Sequence, residues 1–394
     1  MGSFLDSVKS MFPLSQEKKE ALRHFEAFLE EDELKELGRL LKQGKINVET
    51  ARLGLWSEIA EHDSFRIFEI ASHDPEVISL AESVNRKSEE HAKQRVFSEF
   101  APMAFEFVSK SMAPNILGFK NVKEAATLQL FADESVHILL IGDTGTGKTE
   151  ILLSAHDFAP VSSFGLGSGT SGIGLTVTVK GKEVHKGLLP LADKGLACID
   201  ELNLIKKEDV GSLYSAMEKG FVTYNKMGHN YRFDARASIL ASANPRYNNF
   251  AGKTAQQLKQ ELAFDAALLT RFHIIFFVRK PDVKRFIEIA KKMVSQKESR
   301  MSARDVHFVQ EYIQFSKTVK VEFPAELEQR IVDFARRIKK DEPKLLVEVN
   351  PRMISGIVRM TKASARTELR KKVEAKDVER VLRIVESSLW KETQ

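Results

Sequence analysis

One feature restricts this chain more than any other. The apolar run His-Ile-Leu-Leu-Ile at residues 137–141 passes directly into Gly142-Asp143-Thr144-Gly145-Thr146-Gly147-Lys148-Thr149 and then into the helix-favouring Glu150-Ile151-Leu152-Leu153. The spacing is G-x-x-x-x-G-K-[ST], set between a strand and a helix. Its glycines let backbone N–H groups turn inward around phosphates at the positive end of the helix. Lys148 is then placed to reach the β- and γ-phosphates, and the Thr149 hydroxyl to ligate Mg²⁺. Residues 142–149 are therefore the expected cradle for the phosphates of ATP.

Such a loop needs acids on a neighbouring strand. Residues 195–201, Gly-Leu-Ala-Cys-Ile-Asp-Glu, supply them. Two acids close an apolar run at the carboxyl end, where α/β sheets bind ligands. Asp200 is expected to hold Mg²⁺ through water and Glu201 to polarise the attacking water. A third run, residues 238–245, ends on Asn244, suited to sensing the γ-phosphate, and residues 268–272 place Arg271 just before a fourth run. Ring-forming ATPases carry an arginine at that point to reach a neighbour's γ-phosphate. Taken singly, these residues are a helix cap, a turn and a surface charge. Their order on one chain favours the chemical interpretation.

Strands expected at 137–141, 196–199, 238–241 and 272–278, mostly separated by helical stretches, describe a mostly parallel sheet with helices on its faces. Helical periodicity covers the region before them, including 15–42 and a helix starting near Glu76. It returns at 284–295, 303–316, 325–339, 351–366 and 375–389. This gives a helical region over 1–100, an α/β core over 101–280 and a helical segment over 281–394. The 394 residues contain no apolar run long enough for a membrane span. The single cysteine, Cys198, allows no internal disulfide or cysteine zinc cluster, which makes the cytoplasm the default compartment. With 60 basic and 55 acidic residues the net charge is only +5, so charge has to be read locally. Residues 222–233 form a strand, turn and strand with Lys226 near the tip, and 177–184 form a second hairpin around Lys180-Gly181-Lys182. Basic tips suit contacts with a DNA backbone regardless of sequence. Tyr224 and Tyr231 serve either base stacking or hairpin packing.

From about residue 107 to 389 the chain resembles the minichromosome-maintenance (MCM) replicative helicases, which are AAA+ ATPases. Ser111-Met112-Ala113-Pro114-Asn115-Ile116-Leu117-Gly118 is similar to the segment leading into that family's core. Residues 168–176, 187–195, Ala216-Met217-Glu218, Ala235-Arg236 and Pro351-Arg352-Met353-Ile354 are similar to further family blocks. The resemblance implies an AAA+ P-loop fold, its parallel sheet sandwiched by helices, with a helical lid. It also implies an ATP- and Mg²⁺-dependent DNA translocase or helicase working as a homo-oligomeric, hexameric ring on single-stranded or forked DNA, within the cytoplasm at the nucleoid. Arg271 becomes an arginine finger acting on the adjacent subunit, Arg352 a sensor-2 arginine also acting in trans, and Lys226 a DNA contact. Residues 1–95 depart from the family, looking helical where an oligonucleotide-binding barrel and often a zinc ribbon are usual. Asn203, Tyr214-Ser215, Thr270, His273, Thr144 and Gly147 also replace the usual family residues. Two other functions fit these residues: an AAA+ protein remodeller, and a non-unwinding regulator of a replication complex.

Overall fold

The structure is a computed structural model that describes residues 75–169, 172–180, 183–206, 209–226, 229–245, 266–280 and 301–389, with isolated positions elsewhere. The chain divides into two compact units, Met1–Phe100 and Ala101–Gln394. Helix α1 (Pro75–Ser111) begins where Asp74-Pro75 suggested, a proline fitting the first turn because its missing N–H has no helical partner there. The helices expected before it, and the one at 284–295, lie outside the described residues apart from scattered positions.

In the second unit, α2 (Lys120–Phe131), β1 (His137–Gly142), α3 (Lys148–Phe158) and β2 (Ser162–Leu166) are followed by a short helix α4 (Gly172–Leu175). A hairpin of β3 (Val177–Lys180) and β4 (Glu183–Lys186) leads to α5 (Leu188–Leu191), β5 (Leu196–Asp200) and α6 (Val210–Lys219). A second hairpin, β6 (Phe221–Lys226) and β7 (His229–Asp234), precedes β8 (Ser238–Ala243), α7 (Ala266–Leu269) and β9 (Ile274–Val278). Helices α8 (Ala303–Ser316), α9 (Glu328–Asp341), α10 (Pro351–Thr367) and α11 (Ala375–Ser388) complete the lid.

The main sheet has the order β2-β5-β8-β1-β9, and every pairing in it is parallel. Strands β1, β5 and β8 are buried along their whole length, which explains why they are continuous apolar runs rather than alternating patterns. The register aligns their ends: Ile141 pairs with Ala243, Ile199 with Ala241, and Gly142 with Val278. The polar residues that follow each run therefore gather at one edge of the sheet.

Three sequence expectations change. Strand β2 was not anticipated; Ser162-Ser163-Phe164-Gly165-Leu166 is polar, and it pairs only with β5 at the sheet edge. The fourth strand starts at Ile274 rather than Phe272, because the Arg271 and Phe272 N–H groups close a turn on the carbonyls of Leu268 and Leu269. The stretch from 325 opens as a 3₁₀ turn after Pro324, and the α-helix runs Glu328–Asp341.

Buried polar ties join the lid to the core. Arg366 on α10 is 0% exposed, donates to the Phe131 carbonyl at 3.0 Å and pairs with Asp133 at 2.7 Å. Arg359, two turns before it on α10, donates to the Ser135 carbonyl at 2.6 Å and pairs with Glu134 at 2.9 Å. The ring of His273 lies between this helix and the sheet. Its Nδ1 accepts from the His137 N–H at 2.9 Å, and its Nε2 is 3.3 Å from the Arg359 guanidinium. Burial keeps both imidazoles neutral, with His137 pushed down to about 3. A Cβ at Gly356 would stand 2.7 Å from that of His273, so α10 needs glycine at the crossing.

Candidate nucleotide-binding site

Residues 142–149 leave β1 and enter α3 as the motif required. Gly145 and Gly147 have φ of +78° and +84°, a region side chains disfavour. Gly147 caps α3 without a side-chain hydrogen bond, so no side chain competes for the first-turn N–H groups. Asp143 is buried, and its Oδ2 accepts from the Lys280 N–H at 3.3 Å, tying the loop to the segment after β9. Thr146 turns its hydroxyl back to the Asp143 carbonyl at 2.8 Å, while Thr144 is exposed.

Lys148 is 6% exposed, and its ammonium donates to the carbonyls of Gly142 and Asp143 at 2.9 and 2.8 Å. Burial pushes its pKa down to about 8, against the opposing pull of Asp200 and Asp143. The Thr149 hydroxyl donates to Asp200 Oδ2 at 2.7 Å, bringing together a hydroxyl and a carboxylate, both hard oxygen donors of the kind Mg²⁺ takes. The loop and this pair fit a nucleotide phosphate and its divalent cation.

Ser242, on the strand beside β5, donates to the other carboxylate oxygen of Asp200 and accepts from the Glu201 N–H at 3.1 Å. Glu201 has φ of +53°, a left-handed backbone that costs a residue with a side chain about 1–2 kcal/mol. Backbone strain of this kind gathers where geometry serves chemistry. A Cβ on Gly167 would come within 2.1 Å of the Glu201 carbonyl oxygen, so that glycine makes room for the strained turn. Asn244 follows β8 directly, beside the loop by register, and its N–H donates to Asn203 Oδ1 at 3.0 Å. Lys148, Thr149, Asp200, Glu201 and Asn244 thus all lie at the carboxyl edge of the sheet.

The two arginines lie elsewhere. Arg271 precedes Ile274, which pairs with Ile138 at the opposite end of β1 from the loop. Four residues of strand, about 13 Å, separate that pairing from Gly142. Arg271 pairs with Glu218 at 2.9 Å, donates to the Ala267 carbonyl at 2.5 Å and places its guanidinium 4.1 Å from the Tyr214 ring centre. Arg352 reaches the same Glu218 oxygen at 3.4 Å and the Thr270 carbonyl at 3.3 Å. The structure therefore brings the arginines to each other, away from the phosphate loop of their own chain. Of the hairpin lysines, Lys226 ends β6 and Lys180 ends β3; their side chains, and Lys182 altogether, lie outside the described residues.

Residues 95–297 match the family model of the MCM P-loop domain, and residues 307–389 match that of the MCM AAA-lid domain. The chain belongs to the MCM family. It is 30% identical over 327 residues to the DNA replication licensing factor mcm7-B of Xenopus laevis, covering 76% of this chain and 45% of that one. The Minichromosome maintenance protein MCM of Saccharolobus solfataricus is 28% identical over 307 residues, 72% of this chain and 44% of its own. The DNA replication licensing factor MCM4 of Arabidopsis thaliana is 28% identical over 340 residues, 79% of this chain and 39% of its own. The chain thus spans less than half the length of these MCM relatives. Its fold is the α/β AAA+ fold of the MCM P-loop and lid domains, built around a nucleotide-binding loop. Among the described residues no helix is long and apolar enough to cross a membrane.

Sequence reasoning missed Ser242 and Glu218 as members of this MCM site. Ser242 was within reach: it lies near the end of the same apolar run, two residues before Asn244. Glu218 carries no such signal, since its importance comes from two distant arginines meeting on it.

Proposed function

We propose that this chain is the ATP-hydrolysing part of an MCM-type DNA motor, acting in the cytoplasm at the nucleoid. One observation carries this reading: the phosphate loop lies at the carboxyl edge of the sheet, while Arg271 and Arg352 sit together toward the amino edge. A complete site then takes its loop from one copy and its arginines from the next in a head-to-tail assembly, whose closed form is a hexameric ring. Lys148 and the loop N–H groups hold the β- and γ-phosphates. Thr149 and Asp200 would hold Mg²⁺, which when bound would supply charge neutralisation on those phosphates. Glu201 orients and polarises the attacking water, Asn244 reports on the γ-phosphate, and the neighbour's arginines stabilise charge growing on its oxygens. Lys226, Lys180 and Lys182 meet the backbone of single-stranded or forked DNA.

The test is ATP turnover measured against protein concentration, with and without single-stranded DNA. Turnover should rise more steeply than linearly with protein and rise further with DNA. Lys148→Ala should abolish it, whereas Lys226→Ala should keep DNA-free turnover and lose DNA stimulation. Turnover indifferent to DNA would overturn this reading in favour of a protein remodeller, and no turnover at any concentration in favour of a non-unwinding regulator.

A further inference from the structure

Two guanidinium groups from separate elements converge on one carboxylate oxygen, Glu218 Oε1: Arg271, ahead of β9, at 2.9 Å and Arg352, on α10, at 3.4 Å. Like charges this close repel unless an anion lies between them. The anion here comes from the last turn of α6. One helical turn earlier Tyr214 offers its ring face to Arg271 at 4.1 Å, so a single face of α6 supplies both the counter-charge and the stacking surface. A carboxylate oxygen paired with two arginines offers the kind of anionic acceptor that a phosphoryl oxygen offers to guanidinium groups. The pose is incomplete in one respect: Arg271 Nε is buried and has no acceptor among the described residues. A guanidinium at its final destination would have that donor paired.

We propose that Glu218 is a placeholder for the γ-phosphoryl group of a neighbouring copy's ATP. It holds Arg271 and Arg352 together and aimed as a pair while no phosphate is present, and yields them when one arrives. Tyr214 is a positioning residue that keeps the Arg271 guanidinium plane fixed during the exchange. The proposal rests on the two-copy site described above and adds to it the groups that hold the arginines at rest. Because Glu218 competes with phosphate, it raises the ATP concentration needed for turnover. A resting pose occupied nine-tenths of the time would raise the apparent KM about tenfold.

Mixed assemblies test this directly. Copies with Lys148→Ala keep their arginines but have a dead loop; copies with Arg271→Ala keep the loop but lack the finger. Mixed, they can turn over ATP only where the first serves the second. Glu218→Gln placed in the arginine-giving copy should lower KM for ATP several-fold, because the competing charge is gone and the shape is kept. Placed instead in the Arg271→Ala copy, it should not produce that fall. Tyr214→Ala in the arginine-giving copy should lower kcat, and Tyr214→Phe should restore it. An unchanged or raised KM with Glu218→Gln in the giving copy, or the same change from either placement, would overturn the placeholder. Failure of the two parent variants to complement at all would instead remove the two-copy site and the placeholder with it.

Discussion

The charge of Lys148 governs how the phosphate loop responds to pH. Burial lowers its pKa from the ordinary lysine range to about 8, although Asp200 and Asp143 pull the other way. In the free protein the ammonium is then about one-tenth neutral at pH 7 and about nine-tenths neutral at pH 9. A bound pyrophosphate favours the charged form, so the bound state keeps the proton through this window. Affinity must therefore fall as pH rises through the free-state pKa. The factor is 1 + 10^(pH − 8), which gives roughly a tenfold loss between pH 7 and pH 9. A lysine at its ordinary value near 10.4 would lose only a few per cent. For folding the sign is opposite to that of a lysine stabilised by a partner. The charged form is disfavoured in the native state, so the penalty is present below pH 8 and is relieved as pH rises above it.

The assay is titration with a fluorescent ADP analogue, whose phosphates are essentially fully ionised above pH 7. Lys148→Arg should bind more weakly overall and lose the slope that Lys148 contributes between pH 7 and pH 9, because arginine stays protonated. Lys123, also held near 8 by burial and bonded to the Ala113 and Ile116 carbonyls, titrates in the same window. Any slope it contributes survives Lys148→Arg, which separates the two. Affinity flat from pH 7 to pH 9 in the wild-type protein would refute the burial argument.

Two further perturbations probe the surroundings. Ser242→Ala removes the hydroxyl that bonds Asp200 and accepts from the Glu201 N–H; kcat should fall about 10- to 100-fold while ADP affinity changes little, measured by steady-state kinetics and the same titration. Arg366→Ala leaves a cavity and strips donors from the Phe131 and Val319 carbonyls, so urea unfolding should show a loss of about 2–4 kcal/mol. Asp133→Asn should cost about 1–3 kcal/mol, since Asp133 is half exposed but its removal leaves the fully buried Arg366 guanidinium without its carboxylate.

The sequence exposed those parts of the site that are continuous in the chain. The loop at 142–149 carries its own strand and helix, and the apolar runs ending at Asp200 and Ala243 announce buried parallel strands. Strand β2 stayed hidden because an edge strand with serines and a glycine has no strong pattern. Its membership follows from pairing with β5, which is tertiary information. The histidine pair was equally illegible. His273 differs from the family's usual residue, and only the fold shows its ring accepting from the His137 N–H and abutting Gly356. Arg271 and Arg352 are each singled out by the sequence, one by position and one by resemblance, but their meeting point on Glu218 is not. Convergence of residues at 218, 271 and 352 on one oxygen is a property of packing, and no local window of sequence contains it.

That meeting point also joins the two ends of the molecule's chemistry. Glu218 and Tyr214 are on α6, and α6 runs through Gly220, at φ +69°, straight into the first strand of the hairpin that ends on Lys226. The junction is stiff. Ser215 donates to the Phe221 carbonyl at 2.8 Å, and the Ala235 N–H returns to the Gly220 carbonyl at 2.8 Å. A side chain at position 220 would press within 2.8 Å of the Arg236 stem, and Arg236 itself is pinned to Asp193 at 2.8 Å. Helix and hairpin are therefore joined by a braced junction. Arg271 and Arg352 are fixed to a different piece: β9 and α10, locked together through His273 and Arg359. The Glu218 pairings are ion pairs across the boundary between these two pieces, partly open to water and cheap to break. In the proposed two-copy site, withdrawal of the arginines toward a neighbour's phosphate would break the contacts they make with α6, which leads into the hairpin. In the proposed DNA motor, a load on the hairpin would act on the same pairings from the other side. On that reading the Glu218 pairings are the element that nucleotide and DNA would both bias, without a wire of residues between them.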